Sequence, residues 1–348
     1  MRTKTLEKPS VMVVDEATRI RDEFEKNYWR DVGKRVIKDW RLYVMLLPLL
    51  LVLLFWRYMP MYELITAFKD SDTTVNVIQR DFVGFQHFYN LMFGAASTGF
   101  WQAFRNTFVL SFYSLLFGFP IPIIIALFFN EISSNILRST LQVAVYLPKF
   151  VSLVVITSLT TMLLSGGSAL TGVEPGIISN LLSNLHVVPE ADAWHGLMRS
   201  PAYFRSIYQV TGIWETAGYG SIVYFAAIIG ISPTSYEAAR IDGATKMAQI
   251  RHVVLPGILS TIVIMLILDI GRLLTIGYEK VLLLYSKDVY LTADVVSTYV
   301  FRLAGIEAGA ETNQSMGSAA DLLNAVISML LVICANTISR KASDTSLY

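Results

Sequence analysis

Apolar residues run in six long blocks along this 348-residue chain, over residues 42–68, 106–129, 141–164, 209–231, 253–274 and 319–337. Each block reaches the ~20 residues that a helix needs to cross ~30 Å of hydrocarbon, where a helix satisfies its own backbone hydrogen bonds. The pattern predicts an all-α integral membrane protein with six transmembrane helices and both termini on one side. Polar stretches separate the blocks. Those at residues 69–105, 165–208 and 275–318 are long enough to hold short helices of their own. The middle one carries the turn residues Gly166-Gly167, Pro175-Gly176 and Pro189.

Composition excludes a soluble protein of this length, with 54% hydrophobic residues, only 16% charged and a mean hydropathy of +0.51. Seventeen of the 28 Lys and Arg residues fall in the two tails and the loops after the second and fourth blocks, against eight in the opposite loops and three inside blocks. The positive-inside rule then makes both termini cytoplasmic. Eleven of those charges belong to the N-terminal tail, so the orientation rests largely on it. We expect a cytoplasmic N-terminal tail over residues 1–41, a six-span domain over 42–340 and a cytoplasmic C-terminal tail over 341–348. The first forty residues show no apolar core of a cleavable signal. Trp29, Trp40 and Tyr43 bracket a basic stretch suited to an interfacial helix. The single cysteine, Cys334, permits no intrachain disulfide and reads as packing in the last span. A net charge of +1 gives no reason to invoke nucleic acid.

Between the fourth and fifth blocks lies a polar island, residues 232–256, whose local chemistry specifies two short helices meeting at a turn. Ser232-Pro233 opens the first, Thr234 and Glu237 have capping-box spacing, and Asp242-Gly243 allows a sharp reversal. Ala238, Ala239 and Ala244 keep the element slim, while Glu237, Arg240, Asp242, Lys246 and Arg251 supply charge. An ordinary amphipathic loop helix would look similar. The string Glu237-Ala238-Ala239, then Asp242-Gly243-Ala244, then Leu255-Pro256, resembles the cytoplasmic coupling loop of ABC importer permeases, with Val253 standing for the usual Ile. Ile250 departs from the aromatic often found in that family. The resemblance continues in Arg57-Tyr58-Met59-Pro60-Met61-Tyr62, Ala67-Phe68-Lys69, Val83-Gly84-Phe85, Arg105-Asn106-Thr107, Phe119-Pro120-Ile121-Pro122, Ala126-Leu127, Asn130-Glu131, Tyr146-Leu147-Pro148 and Asp294-Val295-Val296-Ser297-Thr298-Tyr299-Val300. Their order is similar to the polysaccharide branch of carbohydrate-uptake importers, over roughly residues 42–340.

What the resemblance implies is a type I importer permease that binds no cofactor, ATP and Mg being held by partner ATPase subunits. The implied partners are a second homologous permease in a heterodimer, two ATPase subunits, an extracytoplasmic solute-binding protein, a sugar and membrane lipid. The implied location is a bacterial cytoplasmic (inner) membrane. The coupling residues carried over are Glu237, Ala238, Ala239, Asp242, Gly243, Ala244, Ile250, Leu255 and Pro256, with Pro256 marking where the fifth span begins.

Charges inside apolar blocks are costly and usually face a cavity or partner. Lys149 falls about nine residues into the third block, roughly 13 Å from its cytoplasmic edge at 1.5 Å per residue. Glu215, Asp269, Arg272 and Asp321 fall toward the outer ends of later blocks. One reading has Asp269 and Arg272 neutralising each other at i,i+3, Glu215 and Asp321 effectively in loops, and Lys149 snorkelling. The other puts Lys149 and Arg272 on the translocation path, where fixed cations favour an acidic, uronate-type sugar. Tyr113, Tyr146, Trp214, Tyr219 and Tyr224 could stack on sugar rings, though aromatics also anchor spans at interfaces. Gly212, Gly218, Gly220 and Gly230 are expected to permit close helix packing.

Other motifs carry little. Leu164-Ser165-Gly166-Gly167-Ser168 imitates an ATPase signature loop, but the chain has no phosphate-binding GxxxxGK[ST] and the stretch sits at the outer end of a block, so it reads as a glycine turn. His87, His186, His195 and His252 lack metal-site spacing, so no metal is expected, and they read as exposed loop residues. No nucleophile constellation is present, so we expect a transporter and not an enzyme. An ion-coupled secondary transporter is the alternative class, and a permease for another solute such as a peptide is the alternative cargo.

Overall fold

The computed structural model describes residues 28, 32–34, 36–71, 76–168, 170–274, 276–305 and 313–342. Most of the N-terminal tail, Trp29 included, and the last six residues lie outside the described residues. Among the described residues the chain is helical, with two isolated β-bridges, Lys69 to Phe82 and Ser168 to Val173.

Three helical runs are singly long and apolar enough to cross a membrane: Trp40–Phe68, Ser97–Glu131 and Gln314–Thr337. Three more candidates are bent pairs: Asn135–Phe150 with Leu153–Leu163 at 95°, Pro201–Ile229 with Pro233–Ile241 at 71°, and Lys246–Gly257 with Leu259–Gly271 at 63°. The six apolar blocks are thus found in order, but six uninterrupted spans are not. The third block breaks sharply because Val151 and Ser152 take extended backbone after the 3₁₀ turn Leu147–Phe150. That break corrects the expectation that Lys149 lies along one straight helix; it sits at the elbow.

Proline explains much of the remaining irregularity. Helical segments widen into π-turns at Leu53–Tyr58, Ser114–Gly118 and Ile250–Val254. Each contains the residue four before a proline: Trp56 before Pro60, Leu116 before Pro120 and His252 before Pro256. A proline ring clashes with the carbonyl four residues back and donates no hydrogen bond, and a π-bulge gives that carbonyl room. Pro256 therefore does not start the fifth helix, which begins at Lys246 and is broken two residues after the proline, at Ile258.

The chain divides into two units, Met1–Glu63 and Leu64–Tyr348. In the first, Trp40–Val52 buries no residue, so its leucine-rich surface is suited to lipid or protein cover. The second holds three apolar cores. One joins Leu110, Leu164, Phe204 and Ile207 to Val281, Leu284, Val289 and Val295. Another packs Leu91, Phe100 and Ala103 on Val296, Tyr299, Ala319 and Ala320. The third gathers Ala126, Tyr224, Ile228, Val254 and Ile258.

A buried polar network cross-links these helices and unites two stretches far apart in sequence. Arg302 grips the Asp294 carboxylate with two hydrogen bonds of 2.7 and 2.6 Å, and the Thr298 hydroxyl adds a third at 2.8 Å. Asn106 donates to the Asp294 carbonyl at 2.9 Å and accepts from Arg205 at 2.9 Å, while Thr107 accepts from the Val296 amide at 2.9 Å. Buried polar groups that satisfy each other in this way fix one arrangement of helices.

The stretch read as a glycine turn runs through irregular backbone, and its glycines allow close packing. A Cβ on Gly166 would lie 2.7 Å from the Trp194 and His195 carbonyl oxygens, and one on Gly167 would lie 2.6 Å from the Trp194 ring. His186, His195 and His252 are exposed as expected, but His87 is buried and its Nε2 lies 2.9 Å from the Lys69 carbonyl oxygen.

Candidate functional site

The polar island folds into an exposed knob. Ser232 stands at the N-cap position of the helix Pro233–Ile241, but its hydroxyl makes no hydrogen bond to the helix backbone and lies instead 2.7 Å from that of Thr234. The capping box read at Thr234 and Glu237 is not formed, because proline at the first helical position places the start two residues too early for it. The C-terminus closes as a Schellman turn: the Ala244 amide reaches the Ala239 carbonyl at 2.9 Å and the Gly243 amide reaches the Arg240 carbonyl at 3.1 Å. Gly243 has φ +73, a conformation costly for any side chain with a Cβ. Thr245 then caps the helix Lys246–Gln249.

Glu237, Ala238, Asp242 and Gly243 are exposed on this knob, and Ala239 and Ala244 are half-buried. Its apolar contacts are Ile241, 86% exposed, and Met247, 71% exposed. Ile250, expected to supply the hydrophobic contact, is half-buried in the π-turn, as is Leu255 after it, whereas Pro256 is exposed. Val254, between them, is buried in the core with Ile258. Tyr236 packs on that same core, and Lys246 pairs with the Glu131 carboxylate. The knob is therefore tied to two helices at its base.

The second feature is a cavity of about 530 Å³, within the ~300–1,000 Å³ usual for ligand pockets. It is lined by Lys149, Glu215, Asp269, Arg272 and Lys280, three formal positive charges against two negative, together with Tyr208, Tyr219 and Tyr224. Lys149 and Arg272 thus line one space. Glu215 is not in a loop: it lies midway along the 29-residue helix Pro201–Ile229 and faces the cavity. Its Oε1 is 3.3 Å from Lys149 Nζ and its Oε2 is 3.5 Å from Lys280 Nζ.

Lys280, on the helix Tyr278–Leu284, has its ammonium 5.1 Å from the centre of the Tyr208 ring. Burial pushes its pKa below the usual lysine range, and the Glu215 carboxylate opposes that shift. Tyr219 is exposed beside Phe150, and Tyr224 is buried with Phe119 against its edge. Tyr113, Tyr146 and Trp214 do not line the cavity. Tyr113 packs on Phe117, Tyr146 meets Phe129 edge-on, and Trp214 is exposed on the helix surface. Of the four glycines, Gly218 backs on the Val145 carbonyl and Gly220 on Pro122, as expected. Gly212 instead makes room for Lys280, whose Nζ would lie 3.2 Å from an added Cβ, and Gly230 ends a helix.

The model of a family described as a binding-protein-dependent transport system inner membrane component matches residues 118–341. The chain belongs to that family. Two relatives from Bacillus subtilis (strain 168) are 32% identical: the polygalacturonan/rhamnogalacturonan transport system permease protein YteP, over 93% of this chain and 95% of its own, and Protein LplB, over 89% and 92%. The crystal structure of a bacterial ABC transporter involved in the import of the acidic polysaccharide alginate matches at a TM-score of 0.76 and 38% identity, covering 89% of this chain and 98% of that one.

This permease is accordingly the membrane component of an ABC importer, a transport subunit and not an enzyme, working with a solute-binding protein and an ATPase. Sequence reasoning missed Lys280, Tyr208 and Gly212 as cavity residues. Lys280 stands in a stretch that reads as outer loop, and nothing in its neighbours signals that it folds back against the middle of the Pro201–Ile229 helix.

Proposed function

We propose that this permease passes acidic, uronate-type oligo- or polysaccharides through the cavity between the Pro201–Ile229 helix and the elbow at Lys149. The observation that carries the reading is the excess of cations, three against two carboxylates, in one sugar-sized space bordered by tyrosines. A carboxylated sugar offers anions to the cations and apolar C–H faces to the rings. The relatives named for polygalacturonan and rhamnogalacturonan, and the structure named for alginate, point to the same cargo class.

In this reading the second permease is a homologue, so that the pair is a heterodimer. Two ATPase subunits hold the exposed knobs from the cytoplasm, which places both termini there. The binding protein docks on the opposite face. Glu237 and Asp242 supply polar contacts to the ATPase, Gly243 the turn, and the alanines the fit. ATP-driven closure moves the knob, and its ties to Glu131 and to the core around Val254 transmit that movement to the helices as a rigid-body switch.

The test is uptake of a labelled oligouronate into vesicles holding the complete importer. Lys149→Met should lower the rate on the order of tenfold, as expected when ~1.4 kcal/mol of charge-assisted contact is lost. An unchanged rate removes Lys149 from the path and with it the acidic-cargo argument.

A further inference from the structure

Lys280 is more enclosed than either of its charged neighbours. Its side chain is 11% exposed, against 15% for Glu215 and 40% for Lys149. An ammonium this deep needs a partner, since an unpaired buried charge costs several kcal/mol. Glu215 is that partner, but it is shared: one carboxylate divides its two oxygens between two lysines. One positive charge is left over at the cluster. Both contacts, at 3.3 and 3.5 Å, are longer than the ~2.7–2.9 Å of a strong ammonium–carboxylate bond.

The surroundings form a built pocket. Tyr208, Gly212 and Glu215 follow one another at i, i+4 and i+7 on one face of the helix Pro201–Ile229. Lys280 lies over the first, beside the second and against the third. The Ser111 hydroxyl lines the same cavity, is buried and has no hydrogen-bond partner among the described residues. A buried hydroxyl without a partner is costly, and a sugar hydroxyl would satisfy it.

We propose that Lys149 and Lys280 form a carboxylate-binding site in which Glu215 stands in for the cargo, and that a uronate carboxylate takes its place during passage. This deepens the proposed function and rests on it. A uronate head group is the same planar, two-oxygen anion as a glutamate side chain, so it can meet both ammonium groups as Glu215 does. The exchange keeps Lys280 paired, so the cargo need not overcome the cost of a bare buried ammonium, and the displaced Glu215 carboxylate stays in a cavity that also holds the Arg272 cation. A neutral sugar gains nothing from it. Lys280 therefore determines specificity, and Glu215 sets how tightly the cargo is held.

The experiment measures binding of an oligouronate to the purified complete importer by calorimetry, with a neutral oligosaccharide of equal length as control. Lys280→Gln should weaken oligouronate binding about tenfold. Glu215→Gln should strengthen it several-fold, because it removes the competing carboxylate, while Lys280→Arg should stay within about threefold of the native chain. Opposite shifts from the two glutamine variants support the exchange, since an ion pair of purely structural value would give losses in both. Shifts of the same sign, or none, overturn it. If the native importer binds the neutral oligosaccharide but not the oligouronate, the acidic-cargo reading itself has failed, and that outcome is distinct from the previous one.

Discussion

A methyl group at Gly218 has nowhere to go, because its position is taken by the backbone carbonyl of Val145 on the neighbouring helix. Overpacking of this kind costs about 1–3 kcal/mol, and a backbone carbonyl cannot swing aside as a side chain would. Two residues on, a Cβ at Gly220 would meet Pro122 at 3.4 Å, close to ordinary contact. Alanine there should cost little and even recover the ~1 kcal/mol of helix propensity that glycine forfeits. Thermal unfolding of the detergent-purified complex should therefore fall by several degrees for Gly218→Ala and hold or rise for Gly220→Ala. Equal midpoints would show that the third- and fourth-block helices do not meet at this carbonyl. The same residue-scale logic separates four glycines that look alike in sequence: two face helices, one faces a lysine and one ends a helix, and only the neighbours tell them apart.

The knob is the element on which coupling turns. Its shape is set locally, by Ser232-Pro233 at one end and by the positive φ of Gly243 at the other. Gly243→Pro places a fixed negative φ where +73 is required, and Ala239→Arg puts a long charged side chain on the slim face. Both should abolish transport and release the ATPase subunits during purification, and full transport in both would falsify the docking role. The exposed pair Ile241 and Met247 adds a contact that the family pattern did not single out. Ile241→Asp with Met247→Asp should reduce co-purified ATPase at least severalfold while leaving the permease expressed, since neither side chain is buried in the chain itself. Retained ATPase would show that the knob is gripped through its charges alone. Both helices and the turn of this element were legible from the sequence because caps and left-handed glycines act within a few residues. The capping box was misplaced by two residues, and the half-burial of Ile250 was not legible because the π-turn that produces it is a response to Pro256.

At the scale of the whole molecule, the alternative of an ion-coupled transporter is set aside by family membership, since the chain is the membrane component of a binding-protein-dependent importer. The cavity charges then serve cargo and need not store a proton or sodium gradient. Uptake in intact cells should collapse when ATP is depleted with the membrane potential maintained, and should survive an uncoupler as long as ATP is held. The reverse pattern would mean that the knob does not receive the driving force. The elbow at Val151-Ser152 fits this picture, because it leaves Lys149 beside it on the cavity wall, whereas the break at Ile258 packs in the core with Val254 and Ile228.

The sequence by itself determined the membrane class, the order of six apolar blocks, the knob with its glycine turn, and the presence of cations inside apolar stretches. Each of these follows from local composition or from spacing within a few residues. Only the tertiary structure decided which charges meet. Lys149 and Lys280 lie 66 and 65 residues from Glu215 along the chain, on either side of it. They converge because the elbow after Pro148 and the packing of Val281 and Leu284 into the core bring two separate segments to one face of the Pro201–Ile229 helix. A buried charge requires a partner but does not specify where along the sequence that partner stands, so a Lys amid apolar neighbours could be seen to need a carboxylate while Glu215 could be named only once the helices were packed.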